Sequence, residues 1–109
     1  MKKLLLLLLV SASVSLVGRA APDATAIWGD NCAKCHGPDG KGNTKMGHKL
    51  KITDLTSPAV QASFKDEDIV KAIKDGVTDK AGVKKMKAIE GLSDADAQAM
   101  IKYVRALKA

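Results

Sequence analysis

The stretch Cys32-Ala33-Lys34-Cys35-His36 decides how the rest of the chain is read. Two cysteines with two residues between them, followed at once by histidine, have the spacing of covalent c-type haem attachment. On one helical turn two thiols reach the two vinyl groups of a haem and add to them as thioethers. The adjacent imidazole is then delivered beneath the iron as an axial ligand. These are the only two cysteines in the sequence. A redox dithiol of the same spacing normally opens a helix that follows a strand, and no strand pattern precedes Cys32. A structural zinc site needs four ligands, and His48 is the one further histidine.

Upstream of the motif, Pro22-Asp23 reads as a helix start with Asp23 as cap. The helix continues through Ala24–Asn31 into the motif, with Ile27 and Trp28 on its buried side. Downstream, Gly37-Pro38-Asp39-Gly40-Lys41-Gly42-Asn43 is dense in turn formers and reads as loop. Residues Thr44 to Asp54 show no clean period and read as further loop, wrapped around the bulky group. Thr56 or Ser57 caps a short helix with Pro58 at its first position. A helix follows over Asp66 to Asp75, with Ile69, Val70 and Ile73 on one face and Gly76 as stop signal. Val77 to Gly91 reads mostly as loop, with Met86 inside it. Ser93-Asp94-Ala95-Asp96 opens the last helix in the manner of a capping box. Met100, Ile101, Val104 and Leu107 then fall inward at helical spacing.

The first 20 residues have the pattern of a cleaved secretory signal peptide. Lys2 and Lys3 precede an apolar or small-residue run from Leu4 to Val17, and Gly18-Arg19-Ala20 resembles a cleavage site. The leucine core is short for a membrane span of about 20 residues. The expected mature chain is residues 21–109, one domain of 89 residues with no further apolar run of spanning length. Removing Lys2, Lys3 and Arg19 lowers the formal charge from +6 to +3. The remaining basic residues are scattered and include one arginine, Arg105, which excludes a nucleic-acid footprint. One tryptophan, one tyrosine and one phenylalanine make a thin core for this length. A haem would supply the missing apolar bulk.

Four side chains compete for the second axial position. Met46 and His48 lie in the segment after the motif, Met86 lies between two helices, and Met100 has core packing as its ordinary role. A lone histidine between glycine and lysine is most often just exposed.

The order helix, Cys-x-x-Cys-His, glycine-rich loop, helix, methionine loop, terminal helix resembles the class I c-type cytochromes, of the small bacterial single-haem kind. The resemblance spans residues 22–108. It rests on Cys32, Cys35 and His36, on Gly37 with Asp39-Gly40-Lys41-Gly42, on Met86, and on Leu92-Ser93-Asp94 leading to Tyr103-Val104-Arg105. It implies an all-α fold of about four helices wrapped around one covalently attached haem c. It further implies Cys32 and Cys35 as thioether anchors, His36 as proximal ligand and Met86 as distal ligand. The first and last helices would cross, with Trp28 against the Met100 and Tyr103 side. Ala24 stands where the family usually has glycine at the crossing, and Lys87 follows Met86 where the family commonly has proline.

The function so implied is electron transfer in the periplasm by a monomer cycling between Fe(III) and Fe(II). With both axial positions filled there is no place for substrate, so an enzyme is not expected. Partners would be transient redox proteins. Lys34, Lys41, Lys45, Lys49, Lys51, Lys84, Lys85 and Lys87 read either as a ring that steers acidic surfaces toward the haem edge or as an ordinary solvated surface, since Asp30, Asp39 and Asp54 interrupt them. Two alternatives stay open: a haem enzyme or small-ligand sensor with a labile or open sixth position, and a subunit dedicated to one oxidoreductase.

Overall fold

The computed structural model describes residues 21–109; the expected signal peptide lies outside the described residues. In chain order the elements are α1 (Ala24–Asn31), α2 (Ala33–His36), α3 (Lys45–Leu50), α4 (Pro58–Ala62), α5 (Asp66–Asp75), β1 (Val77–Thr78), β2 (Lys84–Met86) and α6 (Asp94–Ala106). The protein is mostly helical, as expected. The described residues hold six helices where the sequence suggested four, because the first breaks at Cys32 and α3 forms inside a stretch read as loop.

Local signals account for most helix starts. The Asp23 carboxylate accepts from the Ala26 N–H at 3.1 Å and caps α1. Ser57 caps α4, with Pro58 at its first position, where the missing N–H costs nothing. At the head of α5, Asp68 reaches back to the Lys65 N–H at 2.8 Å, and three acidic residues face the positive end of the helix. At α6 the reciprocal box is complete. Ser93 Oγ accepts from the Asp96 N–H, and Asp96 accepts from the Ser93 N–H.

The core is small. Trp28, Leu55, Ile73, Met100 and Val104 form one buried cluster, with Ile27, Phe64, Ile69, Leu92, Tyr103 and others packed half-buried around it. Helix α1 packs across α6, and the Trp28 and Tyr103 rings lie 5.1 Å apart between centroids. Ala24 is half-buried against this cluster, so a small side chain serves the crossing.

One buried polar residue ties α4 to the last helix. The Gln61 amide donates to the carbonyls of Leu55 (2.6 Å) and Val104 (2.9 Å). Arg105 closes the network by donating to the Gln61 carbonyl and side chain, the Phe64 carbonyl and Asp66, and its guanidinium stacks 4.6 Å above the Phe64 ring. Arg105 therefore does more than complement the end of α6. Among the described residues no helix is long and apolar enough to cross a membrane.

Strands β1 and β2 form a small antiparallel hairpin, which was not expected in the Val77–Gly91 stretch. Val77 pairs with Met86 and Thr78 with Lys84, with a bulge between. Its turn is held by Asp79, whose Oδ1 accepts from the N–H groups of Ala81 and Val83, each at 2.9 Å.

Candidate functional site

The break between α1 and α2 sets the geometry of the motif. The Cys32 N–H still bonds the Trp28 carbonyl, while the Cys32 carbonyl accepts from both Cys35 (3.2 Å) and His36 (2.9 Å). Cys32, Cys35 and His36 therefore sit at i, i+3 and i+4 of one turn, the spacing that puts three side chains on one helical face. Both cysteines are free and half-buried. Burial, with a smaller contribution from Cys35, pushes the Cys32 thiol up to about 11. A redox dithiol needs the opposite shift, toward thiolate, so that rival loses ground.

Burial also holds the His36 imidazole below its ordinary pKa, which favours the neutral ring that ligates metals. Its Nδ1 is buried and has no hydrogen-bond partner. Metal-ligating imidazoles usually donate their other ring N–H to a carbonyl or carboxylate, and no such acceptor stands at this nitrogen. What orients the ring is the packing of Trp28, 5.7 Å away between centroids.

The loop after the motif is stitched back onto it. The Trp28 indole donates to the Gly37 carbonyl at 2.9 Å in a buried bond. The Gly42 N–H bonds the His36 carbonyl at 2.7 Å, and the Thr44 hydroxyl donates to the Cys35 carbonyl at 2.6 Å. The same hydroxyl accepts from the Gly47 N–H at 2.8 Å and so caps α3. Gly47 packs against the motif so closely that a Cβ there would meet the carbonyl oxygens of Gly42 and Cys35. Glycine inside a six-residue helix looks like a breaker in sequence; here it is what lets α3 touch α2.

The four rivals for the second axial position part company. Met100 is fully buried in the core. His48 is exposed on α3, and Met46 is half-buried there. Met86 is half-buried on β2. The hairpin carrying it is joined to α3 by Lys85, whose ammonium donates to the Leu50 carbonyl at 3.1 Å. It is joined to α5 by the Ile89 N–H, which donates to the Ile73 carbonyl at 2.7 Å. The cysteines and His36 thus come together in one turn. Met86 is related to that turn through α3, which abuts α2 on one side and receives Lys85 on the other.

Lys34, Lys41, Lys45, Lys49, Lys51, Lys84 and Lys87 are exposed; Lys85 is not. Sequence reasoning missed Thr44 and Gly47, and it grouped Lys85 with the surface lysines although its ammonium is turned inward to the Leu50 carbonyl. Thr44 preceding Gly47 by three was the one available signal, a hydroxyl cap for a helix too short to show a period.

The residues present fit a covalently held haem. Two free thiols and a neutral imidazole with a buried, unpaired nitrogen share one helical face. Cys32 packs against the edge of a core cluster of five buried residues. Among the described residues no three His, Cys, Asp or Glu side chains gather as a metal-ion cluster would need.

The family model described as cytochrome c oxidase, cbb3-type, subunit III matches residues 19–104. Among solved structures, the c-type cytochrome KustC0563 is similar, with a TM-score of 0.69 and 26% identity, over 80% of this chain and 99% of that one. No curated protein matches.

Proposed function

The chain belongs to the c-type cytochromes, and we propose that it is a periplasmic single-haem electron carrier with His36 and Met86 as axial ligands. The observation that carries this reading is the single turn presenting Cys32, Cys35 and His36 together, with both thiols free and the imidazole nitrogen Nδ1 buried. When bound, haem c supplies a one-electron Fe(III)/Fe(II) couple. The chain's contribution is to hold, orient and shield it. Cys32 and Cys35 anchor it through thioethers. Trp28 fixes both the His36 ring and the Gly37 carbonyl beyond it. Met86, a neutral thioether on the hairpin, favours the reduced state and raises the potential, as does apolar burial.

A carrier has to release its partners quickly. Redox encounters bury little area, below about 1,200 Å², and the exposed lysines around α2, α3 and β2 suit brief, electrostatically steered contact with acidic surfaces. The leader-like first 20 residues support export to the periplasm.

The test is the absorption spectrum of the mature protein made with haem-attachment machinery, oxidised against reduced. A low-spin ferric spectrum with a thioether charge-transfer band at the red edge is expected. A low-spin spectrum without that band would replace Met86 by a nitrogen ligand, and a high-spin one would leave the sixth position open and favour ligand sensing or catalysis.

The description of the matching family favours a second reading, that the chain serves as a subunit of a terminal oxidase. Purification from detergent-solubilised native membranes separates the two: a subunit travels with haem-copper polypeptides, and a free carrier stays in the periplasmic fraction.

A further inference from the structure

Met86 stands between two lysines, and the one before it is not an ordinary surface cation. The Lys85 side chain is 32% exposed and reaches two acceptors on different elements. Its Nζ donates to the Leu50 carbonyl at 3.1 Å and lies 3.9 Å from Asp79 Oδ2. Leu50 ends α3, where carbonyls lack a following turn to pair with and where a cation is electrostatically favoured. Asp79 uses its other oxygen to hold the hairpin turn, so its position is fixed independently of Lys85.

The ladder explains why this lysine is turned inward. Val77 pairs with Met86 and Thr78 with Lys84, which leaves Lys85 as the extra residue of the bulge. A bulge bends its strand and re-aims the unpaired side chain. Here it aims Lys85 at α3, while Lys84 and Lys87 stay exposed.

The same strand also meets the end of α5. Gly76 ends that helix at φ +74°, and a Cβ there would lie 2.5 Å from the Met86 carbonyl oxygen. The Met86 backbone thus lies close to the end of α5, while Lys85 beside it reaches α3. The family's usual proline after the methionine is absent, since Lys87 occupies that place.

We infer that Lys85 is a positioning residue for the distal side of the site. Its ammonium, through the Leu50 carbonyl, holds the Met86 strand against α3, and α3 is itself joined to the Cys35 carbonyl through Thr44. The inference rests on the reading of Met86 as the distal ligand. It assigns to Lys85 the stiffening that the missing proline would otherwise supply.

The experiment follows imidazole binding to the ferric holoprotein by stopped-flow absorbance, with the thioether band recorded for each variant. Imidazole binds only when the methionine strand swings away, so its rate reads how firmly that strand is held. Lys85→Met keeps the apolar stem and removes the donor. It is expected to accelerate binding about tenfold, the scale of one lost charged hydrogen bond. Lys85→Arg keeps a charged donor and is expected to bind imidazole close to the parental rate. Lys84→Met, at the exposed neighbour, is expected to leave the rate unchanged. A parental rate in K85M, a K85R as fast as K85M, or equal acceleration by K84M would overturn the inference. Met86→Ala separates the two levels: an unchanged ferric spectrum in M86A would overturn the ligand reading and the role of Lys85 with it. A changed M86A spectrum beside a parental K85M rate would overturn the role of Lys85 alone.

Discussion

Replacing Trp28 with phenylalanine tests how the motif is held. Trp28 is 3% exposed, and its indole N–H donates to the Gly37 carbonyl at 2.9 Å. Phenylalanine keeps an aromatic ring beside Tyr103 and His36 but cannot donate. The buried Gly37 carbonyl then keeps only the longer bond from the Gly40 N–H, at 3.3 Å, and losing the shorter one costs about 0.5–1.5 kcal/mol. The smaller ring also leaves about 40 Å³ unfilled, worth about 1 kcal/mol at ~24 cal/mol per Å³. Together these predict a loss of about 1.5–2.5 kcal/mol, a large share of a small domain's stability. The assay is guanidinium unfolding of the ferric holoprotein, comparing midpoints at a common slope for parent and W28F. A loss below about 1 kcal/mol would refute the reasoning, because it would mean that the Gly40 N–H alone satisfies the Gly37 carbonyl.

Three further outcomes are expected. Gly47→Ala forces a Cβ into the carbonyls of Gly42 and Cys35, so α3 must move off α2. The expected loss is at least about 3 kcal/mol, and calorimetry of the holoprotein checks it. Arg105→Lys retains the charge but not the planar fork that serves Gln61, Phe64 and Asp66 together; a loss of about 1–3 kcal/mol is expected by denaturant unfolding. Asp54 is held below its ordinary pKa chiefly by the Thr56 hydroxyl, then by the Thr56 N–H. Its folded pKa being the lower one, its contribution is present at neutral pH and is lost as pH falls through the depressed value. Thr56→Val is expected to move the Asp54 titration, followed by carboxyl NMR, back upward.

The parts of the fold legible in sequence were those whose signals are local and redundant. Helix α6 announced itself through the Ser93–Asp96 box and through Met100 and Val104 at helical spacing, and both proved buried. Helix α5 was bounded by its acidic first turn and Gly76. The Cys32–His36 turn followed from spacing alone, whereas the Trp28–Tyr103 crossing came only from the resemblance. Helix α3 was hidden because six residues cannot display a period and Gly47 argued against a helix. The hairpin was hidden because strands of two and three residues carry no alternation, and its stability lies in Asp79, Gly76 and Lys85 rather than in apolar pattern. The contacts of Gln61 with Val104 and Arg105 span 43 and 44 residues and leave no mark on either segment.

The packing of α1 on α6 joins the two ends of the described chain, and this has a consequence for the order in which the molecule is assembled. Trp28 is among the first of these residues to be synthesised, while Tyr103, Val104 and Leu107, which close over it and its neighbours, are among the last. A core whose halves meet only at the end of synthesis cannot shut early, since contacts this distant in sequence form slowly. The Cys32–His36 turn would then stay open to the haem proposed above until α6 docks. Once α6 docks and the Ala109 N–H bonds the Thr56 carbonyl, the same contacts would become the seal over that haem.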